Sequence, residues 1–324
     1  MRPLARATVA PLCAILLTLA GATQAQQWPA RPIRVISPYP PGGSVTAATR
    51  LVTDELAKRL GQPFVVENRG GGSTSIGTEA VVRAAPDGYT LLGAAVTLVL
   101  YPHMIPTPYD ILTGLAPVQT IGAGDLLLVV HPALPAQTLQ DLINLAKARP
   151  SGALNYATSG AGGLTHLAME QLGDLSGVKF THIPYKGAGP ATLDLLGGQV
   201  HMAFQTPAAV LQHVQAGKLR ALGYSGPKRF PALPQVPTFG EQGVANFNPR
   251  TWYGLLATGG TPRPIVERLA DETARVLALP EVVAGLGKAG IDPLVIGPDK
   301  FSELIKTDYE RYGRIIKAGN IKLD

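Results

Sequence analysis

The sequence predicts an α/β protein with two doubly wound lobes around a ligand cleft. Strand and helix patterns alternate along the chain, which is typical of βαβ units and predicts parallel sheets. The length of 324 residues suits two domains better than one very large sheet. Two glycine-rich loops occupy corresponding positions in the two halves, at 39–44 and 158–163. Each follows a strand pattern and precedes a helix pattern.

The individual elements follow from apolar periodicity and from turn residues. Short apolar runs predict strands at 32–37, 64–67, 89–94, 126–130, 155–157, 180–183, 200–204 and 219–224. Spacing of apolar residues by three and four predicts helices at 46–60, 75–84, 138–147, 164–172, 191–196, 207–215, 264–277, 280–289 and 298–316. Thr138 is the expected N-cap of its helix, with Asp141 in the first turn.

The N-terminus has the pattern of a secretory signal peptide. Arg2 and Arg6 precede an apolar stretch at 9–20 that is too short to span a bilayer, and Thr23-Gln24-Ala25 resembles a cleavage site. A buried N-terminal helix is the alternative interpretation. We expect a signal peptide at 1–25, a first lobe at 26–124, an inserted second lobe at 125–225, and a return to the first lobe at 226–324.

Composition narrows the class of protein. Apolar residues make up 46% and charged residues 15%, which excludes the disordered class. The net charge is +6, but without a run of Lys and Arg we expect no nucleic-acid partner. The one cysteine, Cys13, lies in the segment predicted to be removed. The mature protein would then have neither disulfides nor a cysteine nucleophile.

The two glycine-rich loops are the candidate binding site. Each would place free backbone N–H groups, and the positive end of a helix dipole, at the carboxyl end of a strand. In open α/β sheets ligands bind at that end. Tight turns explain either loop alone equally well, but the matched pair favours a cleft for an anion. Lys186 lies in another loop near this face, and either ligand contact or a turn role suits it.

The sequence contains no complete enzyme motif. Gly160-x-Gly162 lacks the third glycine of a dinucleotide fingerprint, and Ser159 lacks the Gly-x-Ser-x-Gly frame. The six histidines are scattered, so we expect no metal, and nothing indicates a cofactor. His166 follows the second loop, where either a packed or capping role or ligand contact is open.

The sequence resembles the Bug family, the periplasmic solute-binding proteins of tripartite tricarboxylate transporters. The resemblance covers the whole mature chain and is carried by WPARPIRVISPYPPGGS, VVENRGGGSTSIG, LNYATSGAGGLTHLAMEQL, HIPYKGAGPATLDLLGGQVHMAF and IIKAGNIKLD. It implies a periplasmic protein with a type II periplasmic binding-protein fold and membrane permease subunits as partners. It also implies carboxylate capture by backbone N–H groups of the loops at 39–45 and 158–163. We expect a monomer.

The chain departs from the family pattern at three positions. Thr46 and Gln205 stand where relatives often have Asp, and Gly163 stands where Ser is usual. A site for amino acids should place a carboxylate beside the buried ammonium group. We therefore expect an organic carboxylate without an amino group, although Thr46 is open to a simpler role as a helix cap.

The candidate ligand-binding residues combine both loops with Thr46 and with three positions that would contact the rest of the ligand, Thr97, Gln205 and Thr206. They are Tyr39, Pro41, Gly42, Gly43, Ser44, Val45, Thr46, Thr97, Thr158, Ser159, Gly160, Ala161, Gly162, Gly163, Gln205 and Thr206. Two other functions stay open at this point. One is a sensor that presents a bound carboxylate to a signalling partner, and the other is an α/β enzyme acting on a carboxylate.

Overall fold

The computed structural model describes residues 28–39, 41, 43–71, 73–185, 187–244 and 247–323. The predicted signal peptide, Gly42 and Lys186 lie outside the described residues. Within these ranges, none of the helices has the length and apolar character needed to cross a membrane.

Eleven strands of the described chain form two sheets. They are β1 (Ile33–Ser37), β2 (Phe64–Asn68), β3 (Thr90–Ala95), β4 (Leu115–Asp125), β5 (Leu127–Val130), β6 (Asn155–Thr158), β7 (Thr181–Pro184), β8 (Met202–Gln205), β9 (Arg220–Tyr224), β10 (Arg250–Thr258) and β11 (Asp292–Pro293). The first sheet has the order β11-β4-β10-β3-β1-β2, and the second has the order β7-β6-β8-β5-β9. We call the two sheets with their helices the first and second lobes.

The helices lie between the strands and after β10. They are α1 (Ser44–Leu60), α2 (Ser75–Val82), α3 (Thr97–Leu100) with a 3₁₀ turn at Tyr101–His103, α4 (Ile111–Gly114), α5 (Leu139–Lys147), α6 (Leu164–Ser176), α7 (Ala188–Leu196), α8 (Pro207–Gln215), α9 (Arg263–Leu277), α10 (Pro280–Lys288) and α11 (Pro298–Ala318). The predicted cap of α5 is confirmed, because Thr138 and Asp141 form a reciprocal capping box.

The two α/β lobes are as predicted, but the expectation of parallel sheets holds only for part of each sheet. The strands β1, β2 and β3 are parallel, as are β6, β7 and β8, but β10 is antiparallel to β3 and β4. In the second sheet β5 is antiparallel to β8 and β9. Parallel neighbours in a sheet need a crossover connection, usually a helix. The chain passes from β4 to β5 and from β9 to β10 with no helix among the described residues in between, and β5 and β10 are the strands that run antiparallel to their neighbours.

Two passages of the chain connect the lobes. The first is short, since β4 ends at Asp125 and β5 begins at Leu127. The second is longer, because the first sheet resumes only at Arg250. Several apolar residues between 226 and 244 pack on the second lobe, including Leu233 and Val236. Part of the segment assigned by sequence to the returning first lobe therefore contacts the second lobe.

An amphipathic helix explains how the first lobe holds its cleft-side loop. Val45, Val52, Leu56 and Leu60 of α1 are at most 9% exposed and pack on the first sheet in one apolar cluster. This burial fixes α1 along its length. The N-terminus of α1 is therefore held close to the carboxyl end of β1.

The lobes also touch each other directly. Helix α11 of the first lobe packs against α6 of the second, and one apolar cluster contains residues of both sheets, such as Leu92 and Leu128. At a second place, a methyl group on Gly290 would lie 3.2 Å from the Cβ of Ala208, at the start of α8. The carboxyl-end loops of the second sheet thus lie against first-lobe elements.

Candidate functional site

The first glycine loop connects β1 to α1 as the sequence predicts. Gly43 is the N-cap of α1 and makes no side-chain capping bond. The N–H groups in the first turn of a helix have no intrahelical acceptor. The loop therefore presents backbone donors at the carboxyl end of β1, where Pro41 and Gly43 are exposed.

Tyr39 fixes the loop through its side chain. Its hydroxyl lies 2.7 Å from Thr97 Oγ1 and accepts a hydrogen bond from the Ala95 N–H at 3.1 Å. Burial raises the pKa of the Tyr39 phenol, because the phenolate would lose its hydration. Two predicted site residues, Tyr39 and Thr97, are therefore joined at the carboxyl ends of β1 and β3.

Thr46 forms hydrogen bonds inside the first lobe, a role that was predicted neither by the ligand-contact hypothesis nor by the helix-cap hypothesis. It is 4% exposed, and its hydroxyl lies 2.8 Å from Ser37 Oγ and accepts from Asn68 Nδ2 at 2.8 Å. Asn68 also donates to the Tyr39 carbonyl oxygen at 3.0 Å. The simpler hypothesis that Thr46 caps α1 is wrong, because Gly43 is the N-cap. Thr46 and Asn68 brace the loop from behind.

Two further residues of the first loop differ in what they can offer a ligand. The Val45 side chain is 7% exposed and belongs to the core, so this residue presents only its backbone. Ser44 is exposed, and its hydroxyl lies 3.3 Å from the Tyr253 hydroxyl of β10. Ser44 therefore extends the polar surface of the loop towards the antiparallel strand.

The second glycine loop connects β6 to α6 and, like the first, ends in a glycine N-cap. Gly163 is the N-cap of α6 and makes no side-chain capping bond. Gly160 and Gly162 have φ of 151° and 68°, values that favour glycine. Ser159 is exposed, and Ala161 and Gly163 are half-buried. As in the first lobe, the first-turn N–H groups of a helix lie at the carboxyl end of a strand.

Not every amide of the second loop is available for a ligand. The Gly162 N–H donates to His166 Nδ1 at 3.1 Å, and His166 is 8% exposed. The Thr158 hydroxyl donates to the Gly160 carbonyl oxygen at 3.0 Å and lies 2.7 Å from His182 Nε2. The packed role that the sequence left open for His166 is the one seen here, and His182 was missed because its strand lies far along the chain.

Gln205 and Thr206 end the strand next to the second loop. Ala157 pairs with Ala203 in the parallel strands β6 and β8, so β8 ends, at Gln205, on the same edge of the sheet as the second loop. Gln205 is 4% exposed, and its Nε2 has no hydrogen-bond partner among the described residues. Thr206 is the N-cap of α8.

A hydroxyl of α6 adds a polar group that sequence reasoning missed. Thr165 is in the first turn of the helix, and its Oγ1 is buried without a hydrogen-bond partner in the described chain. Burying such groups unpaired costs about 1–3 kcal/mol each. The position of Thr165 in the first turn of a helix that follows a glycine loop could have identified it from the sequence.

The predicted site residues fall into two groups, one in each lobe. The second group meets the first lobe at Gly162, where a methyl group would lie 2.7 Å from Met104 Sδ and 2.5 Å from Leu323 Cδ2. Met104 follows the helix that begins at Thr97. Among the described residues, no group of three or more His, Cys, Asp or Glu side chains is placed to hold a metal ion.

This fold and site define a class. The protein has two mixed α/β lobes joined by two chain passages, and each lobe has a glycine-capped helix after a strand of its sheet. This is the architecture of a periplasmic solute-binding protein. A family model for the tripartite tricarboxylate transporter family receptor matches residues 48–321. The chain belongs to this family, whose members are solute-binding receptors and not enzymes.

Individual relatives agree with this assignment. Protein BugT of Bordetella pertussis is 37% identical over 311 residues, covering 94% of each chain. A TctC solute-binding protein from Polaromonas has a TM-score of 0.80 at 30% identity, covering 90% of this chain and 99% of that one.

Two solved relatives contain carboxylates. An R. palustris protein with adipate has a TM-score of 0.75 at 30% identity, covering 92% of this chain and 100% of that one. MatC from Rhodopseudomonas palustris, with bound malate, has a TM-score of 0.73 at 28% identity, covering 89% and 100%.

Proposed function

We propose that this protein captures a small organic carboxylate without an amino group between its two glycine loops. It delivers the acid to the membrane permease subunits of a tripartite tricarboxylate transporter. The chain reaches the periplasm through its signal peptide, which is cleaved near Ala25, and it acts there as a monomer. The family assignment and the carboxylates in two solved relatives support this proposal.

The unpartnered amide of Gln205 is the observation that carries the proposal furthest. Its Nε2 can donate two hydrogen bonds and is buried at the end of β8, the strand that pairs with β6 before the second loop. Such a group is expensive to bury unless a ligand accepts from it. A carboxylate, hydroxyl or keto oxygen accepts hydrogen bonds, whereas an ammonium group only donates them. The donor set therefore suits an amine-free acid.

The neutral residues near the two loops favour the same class of ligand. An ammonium group that leaves water needs a carboxylate beside it. Thr46 and Gln205, where relatives often have Asp, are neutral here. The Thr46 hydroxyl is also hydrogen-bonded to Ser37 and Asn68, so Thr46 stabilises the conformation of the first loop.

Calorimetry with matched pairs of acids tests the proposal. Malate and aspartate share a carbon chain and differ by a hydroxyl in place of the ammonium group. Adipate and 2-aminoadipate also share a carbon chain and differ by a hydrogen in place of the ammonium group. We expect the amine-free member to bind more tightly in at least one pair. Tighter binding of the amino acid in both pairs would refute the ligand class.

The Gln205→Leu variant tests the residue that carries the argument. Losing a hydrogen bond to a charged group costs about 1.5–3 kcal/mol, which is at least a tenfold loss of affinity. Unchanged affinity would remove Gln205 from the site. Transport is tested separately, because deletion of the gene should abolish uptake of the bound acid. Unaltered uptake would overturn delivery while leaving binding intact.

A further inference from the structure

Two histidines lie stacked behind the second glycine loop. The ring centroids of His166 and His182 are 3.7 Å apart, with 21° between the planes. His182 also stacks on Tyr156 at 5.1 Å. His166 is on α6 and His182 on β7, so the pair joins the helix after the loop to the strand beside it.

Each imidazole holds a different part of the loop. His166 Nδ1 accepts the Gly162 N–H, and His182 Nε2 contacts the Thr158 hydroxyl that donates to the Gly160 carbonyl oxygen. The hydroxyl donates its single proton in the hydrogen bond to the Gly160 carbonyl oxygen, so it accepts a hydrogen bond from the N–H at His182 Nε2. The two rings therefore restrain both glycines that have positive φ.

The tautomer of His166 follows from its donor. A backbone N–H cannot accept a hydrogen bond, so His166 Nδ1 is the unprotonated ring nitrogen that accepts it, and the ring proton is on Nε2. Nε2 lies 3.9 Å from Glu170 Oε1, an oxygen that also accepts from the Tyr156 hydroxyl at 2.6 Å. The Nε2 edge of the ring is therefore the one nearer Glu170, and the Nδ1 edge faces the loop.

We propose that His166 is a positioning residue for ligand binding. By accepting the Gly162 amide, it fixes the left-handed turn that directs the N–H groups of Gly163, Leu164 and Thr165 into the cleft. The Gly162 amide then serves the shape of the loop and is not a ligand donor. This inference rests on the proposed function, because the positioned amides are those expected to hold the carboxylate.

Two substitutions separate the acceptor of His166 from its ring. In His166→Asn the Oδ1 atom lies near the place of Nδ1, so the acceptor is kept and the ring is lost. In His166→Phe the ring is kept and the acceptor is lost. We expect Phe to weaken binding of malate and adipate about tenfold, the effect of one lost hydrogen bond, and Asn to retain affinity.

The chain offers a matched control at the other end of the same sheet. His201 Nδ1 lies 2.6 Å from Asn155 Oδ1 and 3.1 Å from the Asn155 backbone nitrogen, at the start of β6, whereas the glycine loop follows its end. His201→Phe makes the same substitution at an imidazole that is hydrogen-bonded to β6 away from the loop. It should leave the affinity unchanged, and urea unfolding of all three variants establishes that they fold.

Amide hydrogen exchange provides a readout that needs no ligand. NMR should show Gly162 exchanging at least tenfold faster in His166→Phe than in wild type, and protected in His166→Asn. If Phe protects Gly162 and Asn exposes it, ring packing holds the loop and the proposal is wrong. If exchange follows the prediction while no acid binds the wild type, the positioning of Gly162 stands and the proposed ligand class fails.

Discussion

The contact between the lobes at Gly162 yields a quantitative prediction. Gly162 has φ of 68°, and an alanine in this left-handed conformation costs about 1–2 kcal/mol. Its methyl group would also lie 2.5 Å from Leu323 Cδ2 and 2.7 Å from Met104 Sδ. Both atoms belong to flexible side chains, so we add an overpacking cost of about 1 kcal/mol, near the low end of its range. Gly162→Ala should then destabilise the protein by about 2–3 kcal/mol.

Gly177 provides the control for the backbone part of this cost. It ends the helix that Gly163 begins, has φ of 65°, and has no atom within 4 Å of an added methyl group. Gly177→Ala should lose only the conformational cost of about 1–2 kcal/mol. Urea unfolding with linear extrapolation measures both variants. If the two lose equal stability, the lobes do not press on the second loop as described.

Three further predictions concern stability. Asp308 is 5% exposed and pairs with Arg311 at 2.9 Å, so Asp308→Ala should cost about 3 kcal/mol in urea unfolding. Thr138→Ala removes half of a capping box and should cost about 1 kcal/mol in the same assay. Burial lowers the pKa of His103, so the folded state binds fewer protons than the unfolded state. The free energy of unfolding should therefore fall as the pH drops from about 7 to about 5, and less so in His103→Gln.

Each of these predictions has a contradicting result. Asp308→Asn keeps an acceptor for the Trp252 N–H, which lies 3.1 Å from Asp308, and should cost less than alanine; equal losses would contradict the account of this pair. A loss below about 0.2 kcal/mol for Thr138→Ala would mean that the cap is not formed in solution. A pH dependence identical in wild type and His103→Gln would show that His103 does not carry the expected linkage.

The sequence was most informative where local chemistry decides the structure. The polar residues at the start of α5 predict its cap, and the apolar stripe of α1 predicts its buried face. The strands β4, β10 and β11 were not predicted. In β4 the signal is weak, because Pro117, Gly122 and Gly124 lie within its eleven residues and its apolar residues do not alternate. Strand direction was also missed, since it depends on where the chain crosses between lobes and not on local propensity.

The same distinction applies to the candidate site. Glycines before a helix indicate the two loops directly, since few other residues allow such turns. The groups that brace those loops come from distant segments, such as Asn68 behind Tyr39 and His182 behind Thr158. No local pattern links these pairs, because the topology of the sheets brings them together. Sequence therefore predicted the backbone donors and missed most of their support.

A thermal-shift screen of small organic acids tests the central claim most directly. The panel should contain hydroxy, keto, dicarboxylic and aromatic acids, with the parent amino acids as controls. An acid at about a hundred times its Kd should stabilise the fold by roughly 2.7 kcal/mol, saturate, and be recovered unchanged. This account predicts such a shift for at least one amine-free carboxylate. If no acid in the panel moves the unfolding midpoint, the two glycine loops do not form a carboxylate site.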